Sequence, residues 1–327
     1  MKLNVIFFVL IVTFFPNVAK SQGMHSYIPL PGAELYPEGI AIDSDGSLYV
    51  SSLREGRILK IDTHTKKATD FVKPGKHNLV SAVGIFSDTI NNFLWVCSSD
   101  PGVSKYTGKG SVSLKKFDLN TSKFLGSFDL PKGGFCNDIT KDNYGNIYVT
   151  DSFNPRILRL KHRGKRLKIW IENPAFSGEG FNLNGIDFDG GDTLYVNKYN
   201  SGKLFKINIK TKKILEVKLP RPLFAPDGLK VLNKNNLLIV EGGSTSDPSL
   251  ATAGRGKITQ VQLSDSIPEG KLKVIADGLD VPSAFAIDDE INMLWVVESQ
   301  YDHLFKYKNN PPYSFRILGI ELKNSDM

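Results

Sequence analysis

Across residues 184–208 the alternation of apolar and polar positions predicts three short strands in succession. Ile186 and Phe188 alternate with acidic residues, the period-two signature of a strand with one apolar face. Asp189-Gly190-Gly191-Asp192 reads as a tight turn, with glycines free to take positive φ. Leu194-Tyr195-Val196 is built from strand formers. Asn200-Ser201-Gly202 turns the chain again, and residues 204–207 make the third strand.

The same unit recurs. Ile40-Ala41-Ile42, Leu48-Tyr49-Val50 and Ile58-Leu59-Lys60-Ile61 form one copy, with Asp45-Gly46 at its first turn. Asn137-Asp138-Ile139 leads through Tyr144-Gly145-Asn146 to Ile147-Tyr148-Val149 and then to residues 156–160. Asp227-Gly228-Leu229 leads to Leu238-Ile239-Val240 and, after an insertion at 241–256, to Lys257-Ile258-Thr259. Looser copies start at Val83 and Ser283; the last is expected to take residues 303–307 as its third strand. Six copies lie roughly 43–57 residues apart, close to the period of propeller blades, about 40–50 residues. The segments lack helical periodicity, and radial closure would protect their edges. The expectation is an all-β, six-bladed β-propeller.

Composition changes this picture little. The chain has 327 residues, 41% hydrophobic, with 29 glycines and 17 prolines, which suits many short strands joined by turns. Residues 1–21 read as a signal peptide: Lys2, an apolar core, then Ala19-Lys20-Ser21. That apolar run is short for a spanning helix of about 20 residues, so residues 22–327 are expected as one propeller domain, secreted or periplasmic, with no stable membrane insertion after signal removal. The net charge of +7 includes Lys2 and Lys20. The remaining basic runs, at 66–67, 161–166 and 210–213, are scattered over hairpins of different repeats and read as solvated turns, with no nucleic-acid partner. Cys97 and Cys136 fit either a disulfide between neighbouring repeats or two small apolar core groups. A monomer acting on a small molecule is the expected state.

In a propeller the first strand of each repeat lines the central channel. The residues just ahead of it are Glu38, Val83, Asn137, Asn184, Asp227 and Ser283. Four carry oxygen donors of carboxylate or carboxamide type. Rotational symmetry would gather them at one end of the axis, a donor set suited to a hard cation such as calcium rather than zinc or copper. Asp or Asn before Gly also occurs wherever a chain simply turns, but Glu38 does not share that explanation. His77 is a weaker candidate for overhanging the channel, and no Gly-x-Ser-x-Gly elbow occurs.

Pro37-Glu38-Gly39, Phe135-Cys136-Asn137-Asp138, Leu183-Asn184-Gly185 and Pro226-Asp227-Gly228 stand in an order that resembles the gluconolactonase, senescence-marker-protein and luciferin-regenerating-enzyme family. The resemblance covers essentially the whole mature chain. It implies a six-bladed propeller with a divalent metal, commonly calcium, at the top of the channel. Glu38, Asn184 and Asp227 would be ligands, Asn137 would sit beside the metal and touch substrate or water, and Asp227 would double as the base. Paraoxonases and diisopropyl fluorophosphatase use a similar oxygen cage, so the resemblance speaks to the metal more than to the substrate.

Sugar-lactone members carry an arginine two residues before the Asn-Asp pair, where this chain has Phe135. An aromatic in place of a cation implies substrate contact at Phe135 and a less polar or bulkier substrate. The expected activity is calcium-dependent hydrolysis of a lactone or related ester. Its rivals are a non-catalytic binding propeller with a structural metal, an aryl ester or organophosphate hydrolase, and a metal-free strictosidine-synthase-like condensing enzyme.

Overall fold

The computed structural model describes residues 26–242, 256–306 and 310–323. The leader at 1–21, most of the insertion at 241–256, and Tyr307 lie outside the described residues. Six four-stranded antiparallel sheets make up the described chain. Their innermost strands are Pro37–Ile42, Ser81–Asp88, Cys136–Lys141, Leu183–Phe188, Pro226–Asn233 and Pro282–Asp288, one per blade, numbered 1 to 6. Each packs on the next and the sixth packs on the first, so the ring closes. The fold is a six-bladed β-propeller.

Burial explains why the second strand of each copy is the clearest signal in the sequence. Leu48–Ser52, Ile147–Asp151 and Thr193–Lys198 are buried along their whole length, since blades cover both of their faces. Such strands read as continuous apolar runs rather than alternations. The outermost strands are the reverse case. Phe124–Asp129 alternates between half-buried and exposed positions, and Lys168–Glu172 buries only Trp170.

Blade 6 departs from the sequence expectation. Residues 301–305 form a short α-helix, Tyr301–Phe305, entered through a left-handed Gln300 with φ 51°. The third strand is instead Arg316–Glu321, which pairs with Met293–Glu298 on one side and Ser26–Pro29 on the other. The two ends of the chain thus share a blade, and the N-terminal strand latches the ring. The run at 303–307 has strand-like composition, but only Arg316–Glu321 offers a ladder to both neighbours. Cys97 and Cys136 are joined by a disulfide with Cα atoms 5.2 Å apart, tying blade 2 to blade 3.

Candidate functional site

All six innermost strands break register at the same place. Pairing with the second strand is interrupted between Pro37 and Ile40, Ala82 and Ile85, Cys136 and Ile139, Leu183 and Ile186, Pro226 and Leu229, and Pro282 and Phe285. The interrupted dipeptides are Glu38-Gly39, Val83-Gly84, Asn137-Asp138, Asn184-Gly185, Asp227-Gly228 and Ser283-Ala284. A bulge re-aims side chains and frees backbone groups from the ladder. Here it places one residue per blade at the same level of the axis.

The freed backbone groups are taken up by second-strand side chains that reach into the next blade. Ser51 Oγ accepts from Gly39 N and donates to Val83 O, both at 2.7 Å. Thr150 Oγ1 accepts from Asp138 N at 3.0 Å and donates to Asn184 O at 2.7 Å. Asn197 Oδ1 accepts from Gly185 N at 3.0 Å, while its Nδ2 donates to Asp227 O at 2.5 Å. In blade 2 the matching position is Cys97, and its covalent bond to Cys136, next to Asn137, replaces the polar clasp. Two glycines permit the close approach. A Cβ on Gly84 would fall 2.2 Å from Asn137 O, and one on Gly185 2.4 Å from Asp227 O.

Glu38, Asn137, Asn184 and Asp227 all line one cavity on the axis, with Asp138, Lys230 and Ser283 beside them. Each of the four is at least nine-tenths buried. The cavity measures about 20 Å³, room for one water-sized particle and not for an organic substrate. A substrate must therefore meet this site from its mouth.

The electrostatics are those of an anionic cage. Burial, then the Asp227 and Asp138 charges, hold the Glu38 carboxyl well above its ordinary range. Burial and Asp138 push Asp227 up as well, against a hydrogen bond from Asn184 that lowers it. Asp138 is raised by burial, with Lys230 and the backbone N–H groups of Ile186 and Ile139 opposing. Its oxygens accept from Ile139 N at 2.8 Å and Ile186 N at 3.0 Å, so Asp138 braces blade 3 against blade 4.

Amide orientation matters for the two carboxamides. Asn137 Nδ2 donates to Ser152 Oγ at 2.8 Å, which leaves Oδ1 as the free end. Asn184 Oδ1 is buried with no hydrogen-bond partner. An orphaned buried acceptor costs roughly 1–3 kcal/mol, a cost that a bound cation would remove. Two carboxylates and two carboxamides from four blades are hard oxygen donors, and they fit a calcium-like ion. Among the described residues no group of three or more His, Cys, Asp or Glu side chains gathers as metal ligands; the amides are essential to this donor set.

Phe135 is buried and does not line the axial cavity. It packs against Phe153 at 5.0 Å and Phe181 at 5.1 Å between ring centroids, and Phe181 continues to Tyr199 at 6.3 Å. Phe153 is 49% exposed. These rings sit on loops at the channel end that carries the bulges, and Tyr199 is held above its usual pKa by burial and then by the Asp227 charge. His77 stacks on Phe124 at 4.6 Å, with no place in the axial lining.

Sequence reasoning placed Ser283 at the axis without giving it a role, and it missed Asp138 and Tyr301. Ser283 Oγ donates to Glu38 O at 2.6 Å and closes blade 6 onto blade 1. Tyr301 is held above its usual pKa by burial and by Glu38 and Asp227, against hydrogen bonds with Ser299 and Ser283. Asp138 was legible as the partner of Asn137 in the dipeptide. Tyr301 carried no signal, because it lies outside the repeat.

A family profile described as strictosidine synthase-like, N-terminal, matches residues 26–61. A search among curated proteins gave no match. In three dimensions the chain is similar to the allergen Mala s 1 of Malassezia sympodialis, with TM-score 0.65 and 16% identity over 90% of this chain and 95% of that one. It is also similar to a gluconolactonase of Xanthomonas campestris, with TM-score 0.61 and 14% identity over 93% and 92% of the two chains. Virginiamycin B lyase of Staphylococcus aureus gives TM-score 0.58 and 15% identity over 91% and 99%. At these identities the likeness is one of fold, and the chemistry rests on the axial residues of this chain itself.

Proposed function

We propose that the protein is a calcium-dependent hydrolase of the lactonase type, with Glu38, Asn184, Asp227 and Asn137 holding the ion. The observation that carries this reading is the set of four oxygen side chains, each lifted by the same bulge on a different blade, around a cavity of ion size. When bound, the cation would polarise the substrate carbonyl and stabilise charge developing on its oxygen.

Asp227 is the candidate base. Its carboxylate takes a proton from the attacking water, whose oxygen bonds to the carbonyl carbon. The ring C–O bond then breaks, and the same proton passes to the departing alkoxide. Asn137, locked by Ser152, would offer its oxygen to the ion and to substrate or water. The Phe135, Phe153, Phe181 and Tyr199 rings supply an apolar wall near the mouth, which favours lactones or esters with an apolar substituent over polyhydroxylated ones. Phe135 supports that wall from behind while Phe153 faces outward.

The Cys97–Cys136 bond favours an oxidising compartment, in keeping with a secreted or periplasmic protein. The test is hydrolysis of a panel of sugar, aliphatic and aryl-substituted lactones, with calcium and then with a chelator. A second reading, condensation without metal, draws on the match at 26–61, which includes Glu38. It predicts an activity indifferent to chelation.

A further inference from the structure

The basic turns are not all scattered. The hairpin at 161–166 and the outer strand Lys168–Glu172 of blade 3 meet Lys212 of blade 4 around a groove of about 410 Å³. Six cations line it: Arg159, Lys161, Lys165, Arg166, Lys168 and Lys212. No carboxylate does. Arg159 hydrogen-bonds Tyr148, through which it faces Asp142. Lys212 Nζ donates to Trp170 O at 2.8 Å and lies 5.9 Å from the centre of that ring. The Lys161, Lys165, Arg166 and Lys168 side chains make no ion pair among the described residues, and all four are exposed.

Several exposed lysines of blades 4 and 5 sit in ion pairs instead. Lys203 pairs with Glu216 at 2.8 Å, Lys210 with Asp192 at 2.7 Å and Lys218 with Glu269 at 3.3 Å. In the blade 3 groove six cations share a concavity without an acid in its lining. Like charges lining one groove repel one another, and this raises the local affinity for an anion of high charge density. Trp170 forms the floor, but it is buried and covered by Lys212, so it offers no open ring face for stacking a base. The groove size is that of a small-molecule site, about 300–1,000 Å³.

We propose that this groove binds a small molecule bearing several phosphate groups, either free or as a lipid headgroup. Lysine ammonium and arginine guanidinium groups suit phosphate oxygens through charge-assisted hydrogen bonds. The site is separate from the axial cage and shares no residue with it.

The test is calorimetric titration of the calcium-free protein with inositol hexakisphosphate, alongside flotation with phosphatidylcholine vesicles that do or do not carry a phosphoinositide. One-site micromolar binding that weakens with salt is expected. The double variant Arg166→Gln/Lys168→Gln should lose about tenfold or more in affinity. Lys66→Gln/Lys67→Gln, in the corresponding turn of blade 1, should bind as the parent does. Binding to free phosphate without flotation assigns the soluble source, and flotation only with the phosphoinositide assigns the headgroup. No heat at millimolar ligand, equal losses in both variants, or tighter binding of a single-stranded oligonucleotide would overturn the proposal. Lactone turnover should be the same in both variants, so this result stands apart from the catalytic reading.

Discussion

Asn137 donates to Ser152, and Ser152 Oγ in turn donates to Leu183 O at 2.6 Å in the next blade. One hydroxyl therefore fixes both the amide orientation of a cage residue and the seam between blades 3 and 4. Ser152→Ala should lower kcat/KM by about tenfold while costing only about 1 kcal/mol in stability. Calcium affinity should fall in parallel. Steady-state kinetics and chemical denaturation on the same preparation check this; a stability loss with unchanged kinetics would make Ser152 a packing residue only.

Asp227, the proposed base, also makes stability depend on pH. Its pKa and that of Glu38 are raised in the folded, metal-free protein. The folded state then holds these protons more tightly than the unfolded chain does. The resulting stability is full below the unfolded values, near about pH 4, and is lost as pH rises through the folded values. Asp227→Asn removes part of that loss. In chelator, the variant should exceed the parent in stability at pH 7.5, and the gap should close toward pH 4.5. With calcium the order should reverse, and turnover should drop about 100-fold or more. Denaturation midpoints across this range provide the check.

The disulfide stands where three other blades use a polar clasp. Its closure spans 39 residues, for which chain entropy gives a loss of about 4 kcal/mol on removal. Cys97→Ser/Cys136→Ser should show that loss in denaturant. Because Cys136 adjoins Asn137, KM should rise more than a remote destabilisation would produce. Reduction of the parent protein should reproduce both effects.

The proposed function gives the aromatic wall the choice of substrate. Phe181→Ala opens the cluster that joins Phe135 and Phe153 to Tyr199. It should raise KM about tenfold for aryl-bearing lactones and leave unsubstituted rings little changed. A uniform change across the panel would place the cluster outside the binding path.

The sequence made the inner and middle strands readable because buried middle strands are continuous apolar runs and three inner strands carry an acid or amide before glycine. The same repetition placed Glu38, Asn137, Asn184 and Asp227 at equivalent positions, and the structure brings all four to one cavity. What was not legible depended on distance along the chain. The latch between Ser26–Pro29 and Arg316–Glu321 joins segments from opposite ends, with no local pattern to announce it. Tyr301 reaches the cage from a helix outside the repeat, whose composition resembled a strand. The blade 3 groove was hidden because Lys212 belongs to another blade's turn, and only packing brings it beside Trp170.

The central claim is that the axial cage holds calcium for lactone hydrolysis. The most direct measurement is turnover of the lactone panel by one preparation, first with calcium, then with chelator, then with calcium restored. The account predicts hydrolysis that stops on chelation and returns with the ion, fastest for rings with an apolar substituent. Calcium bound at the cage with no lactone opened, or turnover unchanged by chelation, would contradict it.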